Sequence, residues 1–392
     1  MLYKLRNLDF HKIRDLFIEL EYNNQIFSIL DGIITSEVFV DNLNYPKNAV
    51  IISQWRVFFG GFNVISDFID AVKHYLEIEY PKIVKNKSDA KFFRFYWPSD
   101  EWKKVLESKF QDPISLTRKY YSIQKLAIPN WRELIPEGFT VVQIDESLLT
   151  KESLINIGWL TEEIEGVWDS YKDFLQTGGG FCVLKDEREI VCWSTFEYLT
   201  KDKKIECAVA TKKEYQKKGL ATLAVSASAE FALTNFRDVG WHCASDNLPS
   251  WKVSEKVGYK LVRDYNVFEL YINQLDNKLY NGYIELTRKN FEKSINFYEQ
   301  ALHFIQEERE ALKDSDLISA NKISPASIHF RLGTLWAALG KNDNAFKHLN
   351  TAINLGFKDR KRFLTDEMLQ ELHLMQNWNI LISRLPVEKE EE

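Results

Sequence analysis

The spacing of apolar and polar residues changes several times along the chain and predicts its main elements. In the first part, helical spacing alternates with short apolar runs of the length that strands have. The pattern predicts a helix over 5–22, strands over 49–59 and 91–97, and a third strand over 118–123. This alternation indicates an α/β domain for residues 1–133.

A proline-containing linker over 129–136 leads into a second segment, residues 134–272. Its pattern predicts a strand, a helical region, three antiparallel strands, a central helix, another strand and a short helix. Two paired strands, over 260–263 and 266–270, are expected to close the segment. This order predicts an α+β domain with a mixed, mostly antiparallel sheet and flanking helices.

Residues 273–392 have helical spacing throughout. Residues 332–352 match the tetratricopeptide (TPR) pattern, with small residues where paired helices touch, and 282–301 resembles an imperfect second copy. Residues 363–381 predict a closing helical pair, and 388–392 form an acidic tail. We therefore expect an all-α, TPR-like domain. Its role is open among binding a protein or peptide partner, self-association and packing on the neighbouring domain.

Composition and charge exclude several classes of protein. The 45% apolar and 14% aromatic content is typical of a compactly folded chain, and the net charge of −6 argues against a nucleic-acid partner. No apolar run reaches about 18 residues and the N-terminus lacks an apolar signal core, so we expect no membrane segment and a cytoplasmic location. The four cysteines form no Cys-x-x-Cys pair; we expect them to be reduced and buried, and we expect no metal site.

One stretch has the pattern of an anion-binding turn. The apolar run 205–211 ends in a lysine-rich turn, and Gly219 then opens a helix of small residues. Where a strand leads into a helix, several backbone N–H groups have no partner, and a glycine lets a phosphate approach them closely. Charge-assisted hydrogen bonds, at about 1.5–3 kcal/mol each, outweigh the roughly 0.3–1 kcal/mol of the helix dipole. An ordinary strand-turn-helix with exposed lysines has the same pattern.

The spacing within this turn is specific. Gln216-x-x-Gly219-x-Ala221 resembles the Gln/Arg-x-x-Gly-x-Gly/Ala signature of the GNAT acyltransferases, in which the turn cradles the pyrophosphate of acetyl-CoA. Asn247-x-x-Ser250, followed by the segment 255–259 (Glu-Lys-x-Gly-Tyr), resembles a second motif of the same family that lines the pantetheine and adenosine arm. The whole arrangement is further similar to the zwittermicin A resistance type, in which an additional, GNAT-like N-terminal half precedes the catalytic domain.

The resemblance implies acetyl-CoA as the cofactor and the GNAT acyl-CoA N-acyltransferase fold for residues 134–272. It also implies a bulge at 208–210 in the fourth strand of that fold, which separates from the strand over 240–244 to admit the cofactor. The implied cofactor-binding residues are Val209, Ala210, Thr211, Gln216, Lys217, Lys218, Gly219, Leu220, Ala221, Thr222, Asn247 and Ser250.

Acetyl transfer to an amine needs the amine neutral, and an alkyl amine with a pKa near 10.4 makes this a cost of roughly 4–5 kcal/mol at neutral pH. Glu206 is the best-placed general base, because it lies on the strand nearest the implied thioester; a solvated glutamate at a strand edge is the alternative. Glu197 and His242 are weaker candidates. Ser254 occupies the position at which the family often places a tyrosine that protonates the leaving thiolate.

The resemblance implies an N-acetyltransferase that acts on the primary amine of a small molecule, of an aminopolyol or aminoglycoside-like kind. Two other functions are open. The same catalysis could be directed at a protein or peptide amine presented by the TPR-like domain. The chain could also be an interaction protein with a catalytically idle GNAT fold.

Overall fold

The computed structural model describes residues 1–84, 91–177, 179–311 and 324–386. Contacts divide the chain into two compact units, residues 1–269 and 270–392. The described part of the chain holds no helix that is both long enough and apolar enough to cross a membrane.

The first unit is built on a sheet, and its last strand continues two residues beyond the unit. The strands are β1 (Tyr3–Lys4), β2 (Glu37–Val40), β3 (Ala49–Ser53), β4 (Arg56–Gly60), β5 (Phe92–Tyr96), β6 (Ile114–Ile123), β7 (Phe139–Gln143), β8 (Gly180–Lys185), β9 (Glu189–Glu197), β10 (Lys204–Thr211), β11 (Asp238–Ala244) and β12 (Lys260–Tyr271). The α-helices are α1 (Asn24–Leu30), α2 (Ser66–His74), α3 (Tyr80–Ile83), α4 (Asp100–Lys109), α5 (Glu146–Leu149), α6 (Ile157–Val167), α7 (Tyr171–Thr177), α8 (Leu220–Asn235) and α9 (Leu248–Val257). A π-helical turn (Tyr75–Glu79) joins α2 to α3, and 3₁₀ helices lie at Asn7–Leu20, Trp131–Leu134 and Lys213–Tyr215.

All these strands belong to one mixed sheet, in the order β1-β2-β3-β4-β5-β12-β6-β11-β10-β9-β8-β7. At the centre of the sheet the two parts of the chain exchange one strand each. Strand β6, from the first part of the chain, pairs with β11, and β12, from the later part, lies between β5 and β6. The first unit consequently includes the expected range 1–133 and residues 134–269 of the expected range 134–272, and both contribute strands to this sheet.

Helix α8 is the central helix that the sequence predicts. Its small side chains are buried on more than one side: Ala224 and Ala227 pack with Val183 and Val191, while Ala229 lies in a separate apolar cluster. Because these side chains are short, the helix lies close to the strands beneath it. The start of α8 is thereby held at a fixed place over the sheet.

Two strand predictions are wrong in detail. The run 49–59 is a hairpin of β3 and β4, because Gln54 adopts a left-handed conformation (φ 54°) and reverses the chain. The two strands expected after Gly258 are the single strand β12, which keeps its pairing with β6 across a bulge between Leu261 and Arg263. Apolar spacing is similar on both sides of a tight turn, so it does not locate the turn.

The expectation for the cysteines is confirmed: Cys182, Cys192, Cys207 and Cys243 are buried free thiols. Burial raises the pKa of each thiol above its ordinary value, to about 12 for the first three. These thiols therefore remain protonated at neutral pH.

The second unit is helical, as expected. Its helices are α10 (Gln274–Thr287), α11 (Phe291–Ala311), α12 (Pro325–Ala338), α13 (Asn342–Asn354), α14 (Arg360–Thr365) and α15 (Gln376–Ser383), with a 3₁₀ helix at Glu367–Leu374. Small residues lie where paired helices touch: a Cβ at Gly282 would be 3.0 Å from the Tyr298 ring, and one at Gly333 would be 2.6 Å from Leu349. The predicted acidic tail lies outside the described residues.

Gly258, which ends α9, gives a test of this fold. It has a φ of 124°, and a Cβ there would lie 2.5 Å from the carbonyl oxygen of Lys125. We expect Gly258→Ala to lower the free energy of unfolding by about 1–3 kcal/mol, because it adds backbone strain to a steric clash. Urea denaturation measures this change.

The matched control is Gly158→Ala in α6, where a Cβ would meet nothing within 4 Å. This substitution is expected to leave stability unchanged or to raise it by up to about 1 kcal/mol, since alanine favours a helix more than glycine does. Equal stability of the two variants would contradict the close packing of α9 on the segment after β6.

Candidate active site

Strands β10 and β11 separate part of the way along the sheet. They pair in parallel only from Lys204 and Asp238 to Glu206 and Gly240, although β11 continues to Ala244. The separation expected from the sequence is therefore present. The bulge expected at 208–210 is absent from the pairing of β10 with β9, whose register continues without a shift to Thr211.

A cavity of about 450 Å³ lies where these strands part. Its lining includes residues from both parts of the first unit. The first part contributes Asn23, Gln25, Arg56, Arg94, Tyr96 and Arg118, and the later part contributes Glu197, Tyr198, Glu206, Cys207, Ala208, Val209, Trp241, His242, Cys243, Ala244, Asn247, Ser250 and Tyr265. Among the residues predicted for the site, the cavity thus brings together Glu197, Glu206, Val209, His242, Asn247 and Ser250.

Glu206 is a buried carboxylate with one oxygen left available. Its residue is 5% exposed, and Oε1 accepts a hydrogen bond of 2.9 Å from the backbone amide of Asn24. The same oxygen lies 3.4 Å from Nε2 of His242. Among the described residues no group donates a hydrogen bond to Oε2. This oxygen can therefore accept a proton or a hydrogen bond from a ligand in the cavity.

His242 lies between Glu206 and Tyr265 and contacts both side chains. Its Nδ1 lies 2.9 Å from the hydroxyl of Tyr265, and its Nε2 lies 3.2 Å from the carbonyl oxygen of Tyr22. Nε of Arg118 donates to the same Tyr265 hydroxyl at 3.1 Å. These contacts fit an imidazole that carries its proton on Nε2 and accepts at Nδ1. The residues form one chain of polar contacts across the cavity.

Glu197 has a different environment from Glu206, although both line the cavity. Its side chain is hydrogen-bonded to the carboxyl of Glu163 on α6. Burial, and then the nearby Glu163 carboxylate, raise the pKa of Glu197 well above its ordinary value; the positive charge of Arg56 opposes this only in part. Burial also raises the pKa of Glu163. Two half-buried carboxyl groups in contact share one proton, because both cannot ionise at such a distance.

The arginines of the cavity were not predicted from the sequence. Arg94 forms an ion pair with Glu269, Nε to Oε1 2.7 Å, while Arg56 donates to the hydroxyl of Tyr198. Both residues lie in apolar strand segments, where a charged residue is unusual. A charged residue inside an apolar strand was the signal that could have identified these arginines. No sequence motif accompanies them, so the signal does not indicate a ligand.

The turn before α8 has the geometry of an anion site. Gly219 adopts a φ of 81°, and a Cβ there would meet no atom within 4 Å. Among the described residues, the backbone amides of 217–222 have no hydrogen-bond acceptor, whereas the amide of Leu223 already donates to the carbonyl of Gly219 at 3.3 Å. Nε2 of Gln216 donates to the carbonyl of Thr211 at 3.2 Å and ties the turn to β10. The turn thus fits a diphosphate group.

Three other predicted residues form hydrogen bonds within the protein. Oδ1 of Asn247 accepts from the amide of Ser250 at 3.3 Å and caps α9. The hydroxyl of Thr211 donates to Sγ of Cys192 at 3.2 Å. Ser254 is fully buried, and its hydroxyl donates to the carbonyl of Trp251 at 2.8 Å. Ser254 does not line the cavity, so nothing in the structure favours an acid role for it.

Comparison with known proteins places this geometry in a family. The model of the GNAT acetyltransferase family matches residues 15–268. An uncharacterized N-acetyltransferase of Bacillus subtilis strain 168, YdfB, is 26% identical over 271 residues, which cover 68% of this chain and 98% of that protein. The crystal structure of a GCN5-related N-acetyltransferase-like protein from Streptococcus suis covers 67% of this chain and 98% of its own, with 19% identity and a TM-score of 0.51. The last likeness is one of fold.

The family match spans most of the first unit, including the strands that part, the cavity and the turn before α8. The chain belongs to the GNAT acetyltransferase family and is an N-acetyltransferase.

Proposed function

We propose that this enzyme transfers an acetyl group from acetyl-CoA to the primary amine of a small molecule. The observation that carries the proposal is the cavity between β10 and β11, in which a buried carboxylate with an available oxygen lines the gap between the strands. Its volume of about 450 Å³ is in the range of sites for small ligands. The aminopolyol or aminoglycoside-like nature of the acceptor stays a prediction.

The turn before α8 would hold the diphosphate of the cofactor. The amides of residues 217–222 are available for charge-assisted hydrogen bonds, and the exposed ammonium groups of Lys217 and Lys218 add positive charge. Val209, Asn247 and Ser250 line the cavity and would contact the pantetheine arm. Bound acetyl-CoA supplies an activated acetyl thioester.

The protein's part in the chemistry is to remove protons from the acceptor nitrogen. A C–N bond forms and a C–S bond breaks; the ammonium loses two protons in all, one of which balances the leaving thiolate. Glu206 is favoured as the base over Glu197, because Oε2 of Glu206 is available. The raised pKa of Glu197 and its contact with Glu163 keep a proton on that pair.

The alternatives expected from the sequence are less well supported. Membership of the family favours an active enzyme over an idle fold. A protein or peptide acceptor presented by the second unit stays a prediction, as does the TPR-like character of that unit.

The first test concerns the cofactor. We expect acetyl-CoA to raise the melting temperature of the wild type and Gly219→Glu to abolish the shift, because the new carboxylate fills the space above the free amides. Loss of two charge-assisted bonds weakens binding by about 100-fold or more. Gly32→Glu is the control, since Gly32 also has a positive φ (74°) and an open Cβ position. An unchanged shift in Gly219→Glu would remove the proposed phosphate site.

The second test concerns the base. Glu206→Gln is expected to lower kcat by about 100-fold or more, since a general base contributes 10²–10⁴ in rate, and to leave acetyl-CoA binding unchanged. Release of free thiol in the presence of a panel of amines measures the rate. Glu152→Gln, at an exposed position, controls for the substitution. A normal rate in Glu206→Gln together with a loss in Glu197→Gln would assign the base to Glu197.

The third test uses pH. A carboxyl whose pKa is raised by folding favours the folded state below its ordinary pKa, and this advantage is lost as pH rises through the raised value. We expect Glu197→Gln to be more stable than the wild type at neutral pH, with the difference shrinking as the pH falls toward the ordinary glutamate pKa. Urea denaturation across this range measures it. Glu162→Gln, on the exposed side of α6, should follow the wild type throughout.

A further inference from the structure

We propose that the amine acceptor also carries a carboxylate, which the guanidinium of Arg118 binds in the same cavity. The acceptor is then an amino carboxylate, held at one end by Arg118 and presented at the other to Glu206. This inference rests on the proposed function and narrows its substrate class to amino carboxylates, in place of the aminopolyol or aminoglycoside-like acceptor expected from the sequence.

Arg118 is a half-buried cation that has no carboxylate partner among the described residues. Its place in β6, opposite Ala244 and Tyr265, turns it toward the cavity that it lines. Nε donates to the Tyr265 hydroxyl at 3.1 Å, and within the described residues neither terminal nitrogen has an acceptor. A guanidinium stays protonated and offers five N–H donors, so most of this donor capacity is unused.

The other cations near this wall differ from Arg118. Arg94 is neutralised by Glu269, and Lys119, the next residue along β6, pairs with Asp264 at 3.0 Å. Arg56 stacks over Trp55, 4.4 Å from guanidinium carbon to ring centroid, and the nearby carboxyl of Glu197 interacts with its charge. A charge withdrawn from water without a partner is costly. An anionic ligand group at Arg118 removes that cost.

The charges that line the cavity favour binding of a carboxylate over a phosphate at Arg118. Glu206 and Glu197 line the same cavity. Glu206 and the Glu197–Glu163 pair, which shares one proton, carry one negative charge each, and this charge disfavours a dianion more than a monoanion. The planar fork of a guanidinium also matches two carboxylate oxygens. His242 and Tyr265 separate Glu206 from Arg118, at 3.4 Å, 2.9 Å and 3.1 Å along the chain of contacts. The cavity therefore has an acidic end for an ammonium and a basic end for a carboxylate.

The test uses acceptors that differ in one group. α- and ω-amino acids are compared with their carboxamides, with the decarboxylated amines, with O-phosphoethanolamine and with an aminoglycoside. Free thiol release gives kcat and KM, and calorimetry in the presence of coenzyme A gives acceptor binding. We expect the best carboxylate to exceed its carboxamide by about 100-fold in kcat/KM, as a charge-assisted bidentate pair would give.

Variants locate the effect. Arg118→Met should raise KM for the carboxylate to that of the carboxamide, with a much smaller effect on the carboxamide, and Arg118→Lys should retain part of the preference. Arg132→Met is the matched control, because Arg132 pairs with Glu230 on the surface at 2.6 Å. If Arg118→Met does not fold, the inference is tested by the acceptor preference of the wild type and by the reduced preference of Arg118→Lys.

A wild type that favours the carboxamide, the phosphate or the aminoglycoside, or that neither binds nor acetylates any carboxylate, overturns the inference. So does an equal loss on carboxylate and carboxamide in Arg118→Met. The proposed function fails differently: acetyl-CoA then gives no thermal shift, and no amine of any charge releases thiol.

Discussion

The site depends on the parting of two parallel strands. β10 and β11 are joined as far as Glu206 and Gly240, and beyond that pair one edge of each strand lacks its neighbour. Gly240 has little free space around it, since a Cβ would be 3.0 Å from the ring of Tyr120 and 3.3 Å from Cγ of Glu206. Buried backbone N–H and C=O groups need partners. The parted strands therefore present a polar, strand-like surface to a ligand, with the carboxylate of Glu206 at the point where they meet.

The exchange of β6 and β12 gives that cavity its second wall. Because β6 lies between β12 and β11, Arg118 and Tyr265 become neighbours of His242 although the chain separates them widely. The ring of Tyr120 stacks on His242, with centroids 4.7 Å apart. The later part of the chain provides the acid groups and the turn before α8, and the first part provides the arginines. Neither part alone supplies both the acidic residues and the arginines of the cavity.

The features that the sequence predicts are those that depend on local spacing. The helix that begins after Gly219, the small side chains of α8 and the short helix after Asn247 follow from residues a few positions apart. The role of Arg118 depends on which strands lie beside β6, and pairing partners distant in the chain leave no periodic signal. The same limit explains the hairpin within 49–59, where a turn of two residues interrupts an apolar run. Ser254 shows the reverse case, a motif position whose side chain is buried in its own helix.

The exchange also has a consequence for biosynthesis. When the ribosome has released residues 1–133, β6 has been made, but β11 and β12, its two neighbours in the sheet, have not. The edge of β5 is also uncovered until residue 271 has emerged. An open strand edge is a template for pairing with other chains, so the nascent protein needs protection over this interval. The same dependence means that a gene fragment ending between the two parts would encode an aggregation-prone product.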